Sequence, residues 1–233
     1  MLSLFRTTAV AAVVAVGLLA QPVFADTVKY TGAGISPAGK TITISGGGLA
    51  NPLSITAGQI MLTGVTIDSG SGFQAAANIA SWCVDIFHNL AGGGTFSTST
   101  ALAPALLVTI EKLIIGGSSF NGGLSVANNN AATQLAIWKA VFNPPAVTTT
   151  NNTINILADA YLTYAAGSTN GFVDAADKQV GILEPVPAGS TQRLAYLIDG
   201  PPSSTDVPEP ATLALISVGL IGLGVARRRR TLH

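Results

Sequence analysis

Residues 130–142 read Asn-Ala-Ala-Thr-Gln-Leu-Ala-Ile-Trp-Lys-Ala-Val-Phe. Gln134, Ile137, Trp138 and Val141 fall at i, i+3, i+4 and i+7, so a helix here presents them on one face. Asn130 is placed to cap its start, and Pro144-Pro145 to stop it. The face is apolar except for Gln134. A primary amide buried without partners costs several kcal/mol, so the sequence demands a polar group elsewhere in the chain to meet it.

Working outward, the half before this helix reads as strands. Residues 40–45 alternate Thr41, Thr43 and Ser45 with Ile42 and Ile44. Residues 59–68 place Ile60, Leu62, Val65 and Ile67 in a second strand, with Gly64 as a bulge. Gly46-Gly47-Gly48 and residues 68–72 are turns by composition. Residues 81–87 predict a strand with Trp82, Val84 and Ile86 on one face and Cys83, Asp85 and Phe87 on the other. Helical spacing marks residues 101–115, with Pro104 in the first turn. A third helix is marked by the stripe Ile154, Leu157, Ala158, Tyr161, Leu162 and Ala165. Residues 194–198 look like a closing strand. The expected fold class is α+β: one β-rich domain with a three-helix segment, spanning residues 26–200.

The two ends have a different character. Arg6, the apolar residues 9–20 and Val23-Phe24-Ala25 have the order of a signal peptide at residues 1–25, cut after Ala25 by signal peptidase. Residues 201–206 form a linker to a tail at 207–233. There Val207-Pro208-Glu209-Pro210 precedes sixteen apolar residues, 211–226, and then Arg227, Arg228, Arg229 and Arg230. As a helix the apolar run spans about 24 Å, slightly under the roughly 30 Å hydrocarbon core of a bilayer. The arginines would stay on the cytoplasmic side of the inner membrane.

The tail resembles the PEP-CTERM sorting signal in its Pro-Glu-Pro motif, hydrophobic span and basic end. The resemblance implies an exported protein of a Gram-negative cell that makes extracellular polysaccharide. It would be anchored transiently in the inner membrane, recognised by an exosortase, and delivered to the cell surface or beyond. The body carries a second resemblance. Trp82-Cys83-Val84-Asp85 and Thr133-Gln134-Leu135-Ala136-Ile137-Trp138 are similar, in this order, to the two segments that define bacterial thioester domains of surface adhesins. The likeness covers roughly residues 58–200. It implies a Cys83–Gln134 thioester, shielded by Trp82 and Trp138 and assisted by Asp85 or His88, that bonds to amine-bearing surface proteins.

Charge and motif content narrow the alternatives. Residues 26–206 hold six basic and ten acidic side chains, a net charge of −4, with no basic cluster of the kind nucleic-acid phosphates need. Cys83 is the single cysteine, so it has no intramolecular disulfide partner. His88 and His233 are the two histidines, too few for a histidine-bearing metal cluster, and no cofactor is called for. Asp174 and Asp177 could share a loop as a solvated pair. No G-x-S-x-G, P-loop or dinucleotide fingerprint occurs. The expectation is therefore a non-enzymatic surface or matrix protein, in adhesion or in a biofilm or polysaccharide matrix, with single-turnover thioester chemistry at most. A non-covalent matrix component of the same fold is the alternative, in which Gln134 bonds the backbone of the Cys83 strand, and a secreted hydrolase ranks third.

Overall fold

A computed structural model of the chain describes residues 26–68, 78–99, 102–120, 123–175 and 178–199. The expected signal peptide, linker and sorting tail lie outside these residues, as do Asp177 and His233. The described elements are β1 (Thr27–Tyr30), β2 (Gly32–Ser45), β3 (Leu53–Thr63), β4 (Thr66–Asp68), β5 (Asn78–Cys83), β6 (Gly94–Ser99), α1 (Pro104–Ser119), α2 (Val126–Val141), β7 (Thr148–Thr149), α3 (Asn152–Gly167), β8 (Lys178–Pro185) and β9 (Leu194–Asp199).

The Thr/Ile alternation of residues 41–45 closes the long strand β2, which runs antiparallel to β3. Ile42 and Ile44 are buried, while Thr41 meets Thr56 hydroxyl to hydroxyl at the exposed face. The turn joining the strands uses Gly46, Gly47 and Gly48, all at positive φ. At Gly46 a Cβ would stand 2.2 Å from the Ala146 carbonyl oxygen, so the turn needs both the conformation and the small size of glycine.

All nine strands join one antiparallel sheet in the order β4-β1-β6-β8-β9-β5-β3-β2-β7. Its middle strands are buried on both faces: Trp82, Ile182 and Ala195 alternate with Cys83, Leu183 and Leu194 in register. The helices pack on this sheet, α1 against β8 and β9, and α2 against β2, β3 and β5. The third helix, α3, lies on α1 and α2.

Several boundaries differ from the sequence reading for identifiable reasons. Gly64, at φ 59°, is not a bulge but the corner where the chain leaves β3 for β4, a strand with a different partner. The second helix begins at Val126, four residues before Asn130. Ser125 is its cap and accepts from the Asn128 N–H. This frees Asn129 and Asn130 for tertiary bonds, to the carbonyls of Phe120 (2.8 Å) and Ala38 (2.7 Å). The first helix starts at Pro104, as its tolerated first-turn position allows, and runs on to Ser119. The Ile154, Ala158, Tyr161 and Ala165 stripe of α3 is buried as expected, with Leu157 and Leu162 at its margin. The strand expected over 81–87 ends at Cys83, where the functional residues begin.

Candidate functional site

Strand β5 sits between β9 and β3. Backbone groups along a strand point alternately to either neighbour. Val84 N–H reaches the Arg193 carbonyl on the β9 side, so Cys83 directs its own N–H and C=O toward β3. The β3 pairing stops two residues earlier, at Ile60 opposite Ser81. Cys83 is 2% exposed, and without a partner both backbone groups would be stranded in the core.

Gln134 fills that vacancy. Its Oε1 accepts the Cys83 N–H at 3.0 Å, and its Nε2 donates to the Cys83 carbonyl at 2.7 Å. The carboxamide thus takes the place of a strand peptide group, and the demand raised by a lone amide on an apolar helix face is met from both ends. Gln134 is 1% exposed. Neighbouring Thr133 turns its hydroxyl back to the Asn129 carbonyl within the helix, leaving the glutamine as the polar link from α2 to β5.

The sulfur lies beside this link. Sγ donates to the Asp85 carbonyl at 2.6 Å and accepts the Asp85 N–H at 3.3 Å. Burial pushes the thiol up to about 12, against the opposing pull of the Asp85 backbone and the Trp138 indole. At neutral pH the group is a neutral thiol, consistent with its donating to a carbonyl. The chain segment that wraps the sulfur cannot continue as a strand, which is why Asp85 does not share a strand face with Cys83. Asp85 instead forms a tight turn in which its Oδ1 accepts the Phe87 N–H at 2.7 Å.

Asp85 is buried, and its other oxygen, Oδ2, lies 2.5 Å from Nδ1 of His88. The carboxylate fixes the imidazole, whose side chain is 43% exposed. Both residues named as assistants are therefore held to each other, in the segment whose Asp85 backbone contacts the sulfur. The two tryptophans are both buried, but they are not equivalent. Trp138 stands one helical turn after Gln134, and its indole opposes the upward shift of the thiol without forming a well-aligned hydrogen bond to it, whereas Trp82, adjacent to Cys83 in a strand, points to the opposite sheet face.

Sequence reasoning missed Glu111. It is buried on α1, accepts the Ala175 N–H at 3.0 Å, and lies near Asp174, with its carboxyl raised chiefly by burial. Its partners are on the loop after α3, so it ties that loop to α1. A Glu within an apolar helical stripe was the available signal. Among the described residues no group of three or more His, Cys, Asp or Glu side chains is arranged to hold a metal, and no helix is long and apolar enough to cross a membrane.

Comparison with known proteins adds to the reading of the carboxy-terminal tail. Searches of curated proteins and of solved structures returned no match to the chain. Residues 206–230 match the family described as the PEP-CTERM protein-sorting motif. The motif spans the Pro-Glu-Pro segment, the apolar run and the arginines, and it marks this chain as an exported protein sorted by an exosortase.

Proposed function

We propose that the exported domain works at the cell surface or in an extracellular matrix, in adhesion or in biofilm and polysaccharide-matrix assembly, by covalent attachment through a Cys83–Gln134 thioester. One observation carries this reading: the single cysteine and the glutamine, far apart in sequence, meet in a buried site where the carboxamide is held at both ends by Cys83. Forming the bond requires Sγ to turn from the Asp85 carbonyl toward the Gln134 side-chain carbonyl carbon. Sulfur adds there, the C–N bond breaks, and ammonia leaves with the thiol proton. The Cys83 N–H already donates to the oxygen on which negative charge would develop, the place where a preorganised donor is most useful.

An incoming amine would then add to the same carbon and expel Cys83, leaving an amide to the partner. His88, held through Nδ1 by Asp85, would present Nε2 to accept the amine proton. A thiolate is a far better leaving group than an amine anion, which makes the exchange of nitrogen for sulfur an activation step. The chemistry is consumed in one turnover, so the domain is not an enzyme in the ordinary sense. Exosortase and signal peptidase act on the chain during processing, the inner membrane holds it in passing, and amine-bearing proteins or extracellular polysaccharide are its proposed partners.

The contacts themselves favour a second reading. Because both ends of the carboxamide bind backbone and the thiol binds Asp85, Gln134 would serve a non-covalent matrix protein equally well as a clamp. A secreted hydrolase ranks third. Intact mass of the unreduced, exported protein separates the first two. The covalent reading predicts a mass one ammonia below that encoded, with one methylamine taken up and Cys83 exposed to alkylation on opening. An encoded mass and no methylamine uptake leaves the clamp.

A further inference from the structure

We infer that the indole N–H of Trp138 is the hydrogen-bond donor reserved for the Cys83 sulfur when that sulfur departs as a thiolate. The inference rests on the thioester reading above and assigns a catalytic role at the same site. Trp138 is 1% exposed, and its Nε1 has no well-formed acceptor. A buried donor left unpaired is destabilising, and such groups in a folded protein call for an explanation. The indole lies one turn of α2 after Gln134, whose carboxamide is clamped to Cys83, and it bears on a sulfur that as a thiol is committed to Asp85, donating to its carbonyl and accepting its N–H.

A thiol sulfur is a weak acceptor, whereas a thiolate is a strong one. An N–H that gains little from the resting thiol and much from the charged sulfur favours the step in which charge appears. In that step the amine nitrogen has added to the thioester carbon, the C–S bond breaks, and sulfur keeps the bonding pair. The surplus proton on nitrogen passes to a base and finally to sulfur, so no other reagent is consumed. Trp138 and the Asp85 N–H together form the cradle for the departing sulfur. Trp82 has a buried indole N–H that likewise lacks an acceptor, but it lies across the sheet and supplies the control.

The test uses the full exported chain with Trp138→Phe and Trp82→Phe, both of which remove an N–H. Three quantities are read: intact mass, rate of methylamine uptake, and rate of Cys83 alkylation by iodoacetamide after methylamine opening. Trp138→Phe is expected to keep the ammonia-deficient mass but to slow both rates at least about tenfold, with Trp82→Phe near the parent. The smaller ring opens space, so improved access alone would move alkylation the other way. Equal slowing by both substitutions, or unchanged or faster alkylation in Trp138→Phe, overturns the assignment. Benzothienylalanine at position 138 keeps the indole shape without the N–H and gives the same decision should phenylalanine not fold. An encoded mass in the parent chain removes the thioester. Alkylation of its Cys83, which needs no thioester, still decides whether Trp138 serves the sulfur.

Discussion

Gln134→Leu is expected to destabilise the folded domain by about 2–5 kcal/mol, read as a lower midpoint in urea unfolding of the exported protein. The substitution keeps side-chain bulk but strands the Cys83 N–H and C=O, both buried beyond the end of the β3 pairing. Each buried group left unpaired costs about 1–3 kcal/mol, only partly offset by the extra apolar contact. Gln134→Glu sharpens the prediction. One oxygen still accepts the Cys83 N–H, but the other then faces the Cys83 carbonyl and can bond it only when protonated. The folded-state pKa of the new carboxyl is raised, so its favourable contribution is present at low pH and is lost as pH rises through that value. The stability deficit of Gln134→Glu should therefore narrow on acidification, whereas that of Gln134→Leu should not follow it. Cys83→Ala spares both Gln134 bonds but takes the sulfur from the Asp85 N–H and C=O, and so costs about 2–4 kcal/mol even if no covalent link exists. With the thioester formed it also opens a loop of roughly 50 residues, adding about 4 kcal/mol by loop-entropy reasoning.

The parts of this arrangement that were legible in the sequence are those fixed by local periodicity. Ile154, Ala158, Tyr161 and Ala165 declare the buried face of α3, and Ile42 and Ile44 that of β2. The stranded amide of Gln134 was equally legible, because an amide at the head of an apolar stripe requires a partner whatever the fold. What local pattern did not contain was the competition between residues. Asn130 is a good cap, but Ser125 can cap as well, and only the tertiary bond from Asn130 to Ala38 decides between them. Residues 84–87 keep a strand-like alternation, yet Asp85 prefers to fold back on Phe87 and His88, and the sulfur takes the backbone groups a strand would have used. Strand β8 went unrecognised because it is buried on both faces and has little alternation, and its Gly181 serves to admit the Tyr196 ring rather than to end a strand. The order of the strands in the sheet rests on such long-range choices.

Gly117→Ala is expected to destabilise the domain by about 2 kcal/mol, although alanine is the better helix former. Helix propensity alone favours alanine by about 1 kcal/mol. The added Cβ would stand 2.0 Å from Oγ1 of Thr133 and 2.8 Å from its Cγ2. Thr133 is fully buried, and its hydroxyl is tied to Asn129, so α1 and α2 must separate instead. Neighbouring Gly116 resists that movement, since its Cα lies under the Phe172 ring, which itself packs on Tyr161 at 4.7 Å. Overpacking of this kind costs about 1–3 kcal/mol, occasionally more. Gly167→Ala is the matched control. It too replaces a helical glycine, but the new Cβ meets nothing nearer than 3.6 Å, and a gain of up to about 1 kcal/mol is expected from the restricted unfolded chain. Opposite signs for the two alanines in thermal unfolding would establish that the α1–α2 approach at Gly117 is set by contact and not by backbone preference. Because Thr133 precedes Gln134, displacement of α2 should also loosen the amide from Cys83. If the thioester forms, Gly117→Ala will lower the fraction of molecules that carry it, seen as a growing peak of encoded mass, while Gly167→Ala leaves that fraction unchanged.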